Sequence, residues 1–209
     1  MKTRWQWAAT TAAMLCGVLL FNVPTLPAED AKLPAPDADG WITLFDGKTL
    51  DGWEINENPE TFSVVDGTIK VNGERAHLFA PGEYEDFEFK ADVMAKANSN
   101  SGMYFRAKFE KGWPAGYESQ VNNSYTKDPI KTGSLYKFQN VTKQIIPDDT
   151  WWTERIVAKG NHIQIFVNDE KVVDFVDEKN TFMKGRLALQ GHDPHSTVFF
   201  KNIKVKPLK

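Results

Sequence analysis

The chain has 209 residues, a formal net charge of −3 and a single cysteine. That length suits one well-buried domain, and the mild acidity argues against nucleic acid or an anionic membrane as the main partner. One cysteine also excludes a disulfide framework, a zinc–thiolate centre and a redox Cys-x-x-Cys pair.

Residues 1–28 read as a secretory signal peptide. Lys2 and Arg4 form a basic start, Trp7 to Val23 carry no charge, and Leu26-Pro27-Ala28 offers a small residue for cleavage. An uncleaved membrane anchor fits less well. The apolar run is short of the roughly 20 residues a span needs, and Pro24 and Pro27 follow it at once. A lipoprotein signal fits less well still, because Leu15 precedes Cys16 where a small residue is required. Cleavage after Ala28 removes the cysteine, so no thiol nucleophile is expected, and it leaves no membrane span. Residues 29–39, rich in Pro, Ala and Asp, are expected to be a disordered lead-in to a single domain over 40–209.

After Gly40 short strands alternate with turns. Trp41 to Phe45 is a strand closed by Asp46-Gly47. Phe62–Val65 and Thr68–Val71 flank Asp66-Gly67, a strong hairpin signal. Phe87 to Val93 and Met103 to Phe109 show period-two alternation. A long irregular stretch from Lys111 to Pro147 carries several Gly and Pro residues and reads as loops over one edge, where function concentrates. Glu154–Lys159 and His162–Val167 then flank Gly160-Asn161, and Lys171–Phe175, Arg186–Gln190 and Thr197–Val205 complete the series. No window keeps helical spacing over three turns. The chain is expected to be all-β, an antiparallel sandwich or barrel.

Alternation also separates the two faces of each strand. Met103, Phe105, Ala107 and Phe109 lie opposite Tyr104 and Arg106. Tyr117, Ser119 and Val121 lie opposite Glu118 and Gln120. Leu187 and Leu189 lie opposite Arg186, Ala188, Gln190 and His192. With the apolar faces on a core, Arg106, Glu118, Gln120, Gln190 and His192 share the other face of one sheet. Such a set suits sugar recognition, with Tyr104 or Trp113 to stack on a ring. The bland alternative is an ordinary polar outer surface with a cross-strand Arg–Glu pair. His192-Asp193-Pro194-His195 lacks the usual spacing of a transition-metal site, so no metal site is assigned. A calcium ion held by loop carbonyls and carboxylates stays open, and no cofactor motif is present. The closely paired carboxylates of ordinary retaining glycosidases are not evident on one strand.

An ordered set of segments resembles the 3-keto-disaccharide hydrolase family. It runs from Gly40-Trp41-Ile42-Thr43-Leu44-Phe45-Asp46-Gly47 through Asn98-Ser99-Asn100-Ser101-Gly102-Met103-Tyr104-Phe105-Arg106 and Gly116-Tyr117-Glu118-Ser119-Gln120-Val121. It ends with Thr132-Gly133-Ser134-Leu135-Tyr136, Gly185-Arg186-Leu187-Ala188-Leu189-Gln190-Gly191-His192-Asp193 and Phe199-Phe200-Lys201-Asn202-Ile203. Two places depart from the family pattern: Trp151-Trp152-Thr153-Glu154 stands for a Trp-Asn pair, and Asn168-Asp169 for an Asn-Gly turn.

The resemblance implies a concanavalin A-like jelly roll, export and work on oxidised sugars. A ketone at C3 acidifies the C2 proton; a base removes it, the enolate expels the group on C1, and water adds back. Glu118 and His192 are then the expected proton-transfer residues, in either order, with Arg106 as enolate or hydroxyl clamp. Gln120, Gln190 and Asn100 would bind the sugar, and Tyr104 or Trp113 would stack on it. The rival readings are a non-catalytic lectin-like module and a structural envelope protein.

Overall fold

In β6 (Phe87–Ala95) every second side chain is buried, and the molecule is built by laying such half-apolar faces against each other. The computed structural model describes residues 33–208. The expected signal peptide over residues 1–28 and residues 29–32 lie outside the described residues. Of the lead-in, residues 33–39 form no strand or helix, yet they are tied down. Asp37 Oδ1 takes the Trp41 backbone N–H at 2.8 Å, and Leu33 packs against the core.

The strands are β1 (Ile42–Thr43), β2 (Glu54–Ile55), β3 (Phe62–Val65), β4 (Thr68–Val71), β5 (Ala76–Phe79), β6, β7 (Ser101–Ala107), β8 (Tyr117–Val121), β9 (Trp152–Lys159), β10 (His162–Val167), β11 (Glu170–Val176), β12 (Arg186–Gly191) and β13 (Val198–Pro207). One sheet has eight strands in the order β11-β10-β9-β6-β13-β4-β3, with β1 also on β13. The other has five in the order β2-β5-β12-β7-β8. Every named pairing is antiparallel. The expected all-β sandwich of two antiparallel sheets is what the chain forms.

Phe89, Val93, Ile156, Ile165 and Phe200 from the larger sheet meet Leu78, Met103, Phe105, Leu187 and Leu189 from the smaller. Turn chemistry sets the hairpin registers. Asp66 and Gly67 have φ of 48° and 74°, and Asn168 and Asp169 have 48° and 66°. Asn and Asp tolerate this left-handed region, so the departure from Asn-Gly leaves the β9–β10 end and the β10–β11 hairpin intact.

One polar link crosses the core. Glu154, fully buried on β9, accepts the Ser119 hydroxyl of β8 at 2.5 Å and the Trp152 indole N–H at 3.0 Å. Burial pushes its carboxyl up to about 7, against the opposing pull of these two hydrogen bonds. The second departure from the family pattern is therefore a matched pair, Trp152 with Glu154, that braces the strand carrying Glu118.

The smaller sheet differs from a usual outer sheet. Strands β7 and β8 are buried at every position, on both faces. One face meets the core; the other lies under the segment between β8 and β9 and the loop between β7 and β8. A polar side chain on that second face is thus inside the molecule.

Candidate active site

Register places the polar residues in rows across the five-stranded sheet. His77 of β5 pairs with Gln190 of β12, and Gly102 of β7 with Gln120 of β8. Phe79, Ala188, Tyr104 and Glu118 form the next row through their successive pairings. A cavity of about 360 Å³ opens over this face. Asn100, Tyr104, Trp113, Glu118, Gln120, Gln190 and His192 all line it, so seven of the expected site residues come together.

Arg106 does not join them. Its side chain is fully buried and turned away, with Nε and Nη2 donating to the Glu85 carbonyl at 2.9 and 2.7 Å, and Nη1 to the Phe182 carbonyl at 3.1 Å. The reason is a bulge. Tyr104 pairs with Ala188 and Ala107 with Arg186, so β7 takes three steps where β12 takes two. Arg106 absorbs the extra residue at a φ of 50°. Beyond it the alternation is inverted. Ala107, expected in the core, clusters with Phe79, Tyr104 and Ala188 on the cavity side. Phe109, also expected in the core, is 43% exposed. The clamp role assigned to Arg106 is therefore replaced by a structural one.

Glu118 is buried in the cavity wall, in a strongly altered environment. Burial is the main cause that pushes its carboxyl up to about 8, and the charge of Asp128 adds to this; hydrogen bonds from Tyr104 and Gln190 and the charge of Lys137 oppose it. This shift favours the protonated carboxyl at neutral pH. Its Oε1 accepts the Gln190 amide at 3.1 Å. In the amide orientation that satisfies both its ends, Gln120 also donates to Oε1 at 3.3 Å and to the Ser101 carbonyl at 2.8 Å. Two amide donors on Oε1 favour that atom as the carbonyl oxygen of the protonated form.

The carboxyl of Glu118 lies over Gly102, where a Cβ would press into it. Gly102→Ala is expected to lower kcat by about 10²-fold through displacement of Glu118, with little change in the folded fraction by circular dichroism. Unchanged kcat would show that the carboxyl position does not matter.

His192 follows β12 at the mouth of the cavity, between the rings of Trp113 at 5.6 Å and Tyr125 at 5.5 Å. Its Nδ1 is 2.8 Å from Asp193 Oδ2. Partial burial pushes Asp193 up, but hydrogen bonds from His192, the His195 backbone and Tyr125 outweigh this and hold it below the usual carboxylate range. An ionised Asp193 only accepts, so Nδ1 donates to it, and in the tautomer this selects the lone pair lies on Nε2. The cavity thus holds a carboxyl whose proton is favoured by burial and an imidazole oriented by a carboxylate, two contrasting environments for titratable groups.

Sequence reasoning missed several wall residues. Tyr136, whose hydroxyl donates to Asp128 Oδ2 at 2.9 Å, and Lys137 line the cavity from the long irregular segment. Tyr136 closes a quoted motif, but loops carry no periodicity to show where a side chain points. Among the described residues, no group of three His, Cys, Asp or Glu side chains is arranged to hold a metal ion, and no helix is long and apolar enough to cross a membrane.

Residues 40–206 match the family model described as a 3-keto-alpha-glucoside-1,2-lyase-like domain. A curated relative, the 3-keto-disaccharide hydrolase of Bacteroides thetaiotaomicron, is 32% identical over a match covering 70% of this chain. The match spans 62% of that longer protein. Among solved structures, a Parabacteroides distasonis protein described provisionally as a glycosyl hydrolase is 26% identical with a TM-score of 0.72, covering 82% of this chain and 95% of that one. The carbohydrate-binding module CBM66 of Bacillus subtilis, 19% identical with a TM-score of 0.61 over 74% of this chain and 95% of its own, shares the jelly-roll fold.

Proposed function

The chain belongs to the 3-keto-alpha-glucoside-1,2-lyase-like domain family, and we propose that it is an exported carbohydrate-active enzyme that cleaves the glycosidic bond of 3-keto-glycosides. The observation that carries this reading is the convergence of buried Glu118 and of His192, held at Nδ1 by Asp193, on one polar cavity. The 3-keto-disaccharide hydrolase relative supports the substrate class, and the glycosyl hydrolase-like structure supports action on carbohydrate.

The steps divide between these groups. His192 Nε2 takes the C2 proton, and the electron pair enters the C3 ketone as an enolate. Collapse of the enolate forms the C1–C2 double bond and breaks the bond from C1 to the leaving oxygen, which takes the Glu118 proton. Water then adds at C1 and a proton returns to C2, giving net hydrolysis. Lys137 is the positive group at the cavity wall for the enolate oxygen, the role that Arg106 cannot fill. Asn100 Oδ1 and Gln190 Oε1, buried acceptors without a donor, are suited to sugar hydroxyls.

The test uses 3-keto-trehalose and trehalose in deuterated water. Turnover of the keto-sugar alone, with deuterium appearing at C2 of the released 3-keto-glucose, is the expected result. Turnover without deuterium would refute elimination. Binding without turnover would favour the lectin-like module.

A further inference from the structure

Among the described residues, five buried side-chain polar atoms have no hydrogen-bond partner. Four of them belong to His77, Asn100 and Gln190, and only the fifth, on Asp148, lies outside this group. Asn100 and Gln190 line the cavity. His77 does not, but it is the register partner of Gln190 and continues the same row. Its ring is fully buried and leaves both Nδ1 and Nε2 unpaired.

The surroundings of His77 are aromatic. Its ring centroid is 4.7 Å from Tyr104, 6.0 Å from Trp113 and 6.3 Å from Phe79. The Tyr104 hydroxyl is already engaged with Gln190 and Glu118. The imidazole nitrogens serve no hydrogen bond within the described residues. The strand at this point is held through the backbone, with the His77 N–H donating to Asn56 Oδ1 at 2.7 Å and the His77 carbonyl accepting the Asn56 N–H at 3.2 Å. An apolar side chain would fill the same place without leaving two polar atoms unpaired.

Trp113 packs against His77 and also faces the cavity. It is 52% exposed, lines the cavity itself and sits in a loop closed by the Lys108 N–H donating to the Ala115 carbonyl at 2.8 Å. Movement of this exposed side chain would bring His77 within reach of the cavity. We infer that the ligand site runs past Gln190 to His77, beneath Trp113, and that the His77 ring binds a hydroxyl of the ligand. Burial drives the imidazole down to about 3, so it stays neutral at working pH. A neutral ring offers one donor and one acceptor, which matches a hydroxyl better than a charged group. The inference rests on the sugar-binding reading of the cavity but not on the elimination chemistry.

His77→Leu and His77→Phe test it, with ligand-free thermal unfolding, titration with trehalose, and KM for 3-keto-trehalose. The expected result is a midpoint raised by about 2–4 °C in at least one variant, because unpaired polar atoms are removed. The same variant should show KM, or Kd for trehalose, raised about 3–10-fold, the loss of one hydrogen bond. Unchanged sugar affinity in both variants would overturn the inference, whatever the midpoint does. A lowered midpoint in both would show a structural histidine and overturn it too. Failure of the sugar reading itself would appear separately, as wild-type protein that neither binds nor turns over either sugar.

Discussion

Replacing His192 with alanine is expected to cut turnover of 3-keto-trehalose by about 10²–10⁴-fold, the usual contribution of a positioned general base. The side chain is 27% exposed at a loop position, so its removal should leave the thermal midpoint nearly unchanged. That separation matters, because it distinguishes a lost base from a lost fold. Asp193→Asn is the companion. An amide in place of the carboxylate removes the strong preference for a proton on Nδ1, so the ring spends part of its time with the proton on Nε2. The loss should be smaller than for His192→Ala. It should also carry a structural cost, since Asp193 accepts the His195 and Ser196 backbone N–H groups at 2.8 and 3.2 Å. Full activity in His192→Ala would remove the base from the proposed mechanism, and single-turnover assays on matched protein concentrations would show it directly.

What the sequence could and could not reveal follows from one property of strands. Period-two alternation assigns faces correctly only while the register runs without interruption. Strand β8 runs straight through Tyr117, Glu118, Ser119, Gln120 and Val121, so Glu118 and Gln120 stand on the cavity face as expected. The same holds for Gln190 on β12, which pairs in step with β5. Arg106 lies just past Tyr104, where the bulge adds a residue, and the expected face is wrong from there on. Nothing local marks the bulge, because an arginine at a φ of 50° carries no turn signature. Gly185 supplies the compensating space: a Cβ there would meet the Arg106 carbonyl carbon at 2.5 Å.

Strand β5 escaped for a different reason. Ala76, His77, Leu78 and Phe79 are buried on both faces, so the run shows no alternation of polar and apolar faces. His77 then reads as a lone histidine rather than as the neighbour of Gln190. The cavity walls contributed by Asp128, Tyr136 and Lys137 depend on how a long segment folds back, with the Tyr136 N–H donating to the Glu118 carbonyl at 2.9 Å. Such long-range placement has no counterpart in residue spacing.

Glu118→Gln removes the proton donor and keeps almost everything else. The amide has the volume of the acid, and its carbonyl oxygen can still accept the N–H groups of Gln190 and Gln120 that Oε1 accepts. Its N–H₂ cannot give up a proton to a leaving oxygen. The expected result is a fall in kcat of about 10²–10⁴-fold with KM changed little. Wild-type kcat should decline as pH rises through about 8, where Glu118 loses its proton, and this alkaline decline should be absent from the residual activity of the variant. Stability should move the other way. The folded protein raises Glu118 from its ordinary 4.5 to about 8, so it holds this proton more tightly than the unfolded chain does. The benefit of that proton is fully present below 4.5 and is lost progressively as pH rises to about 8. Glutamine undergoes no such loss. Glu118→Gln should therefore gain stability relative to the wild type between acid pH and pH 8, measured by urea unfolding at each pH. A variant that is less active yet more stable at alkaline pH is the signature of a carboxyl retained for chemistry at a cost to the fold. Equal pH dependence in the two proteins would place the Glu118 proton elsewhere and return the acid role to another cavity residue.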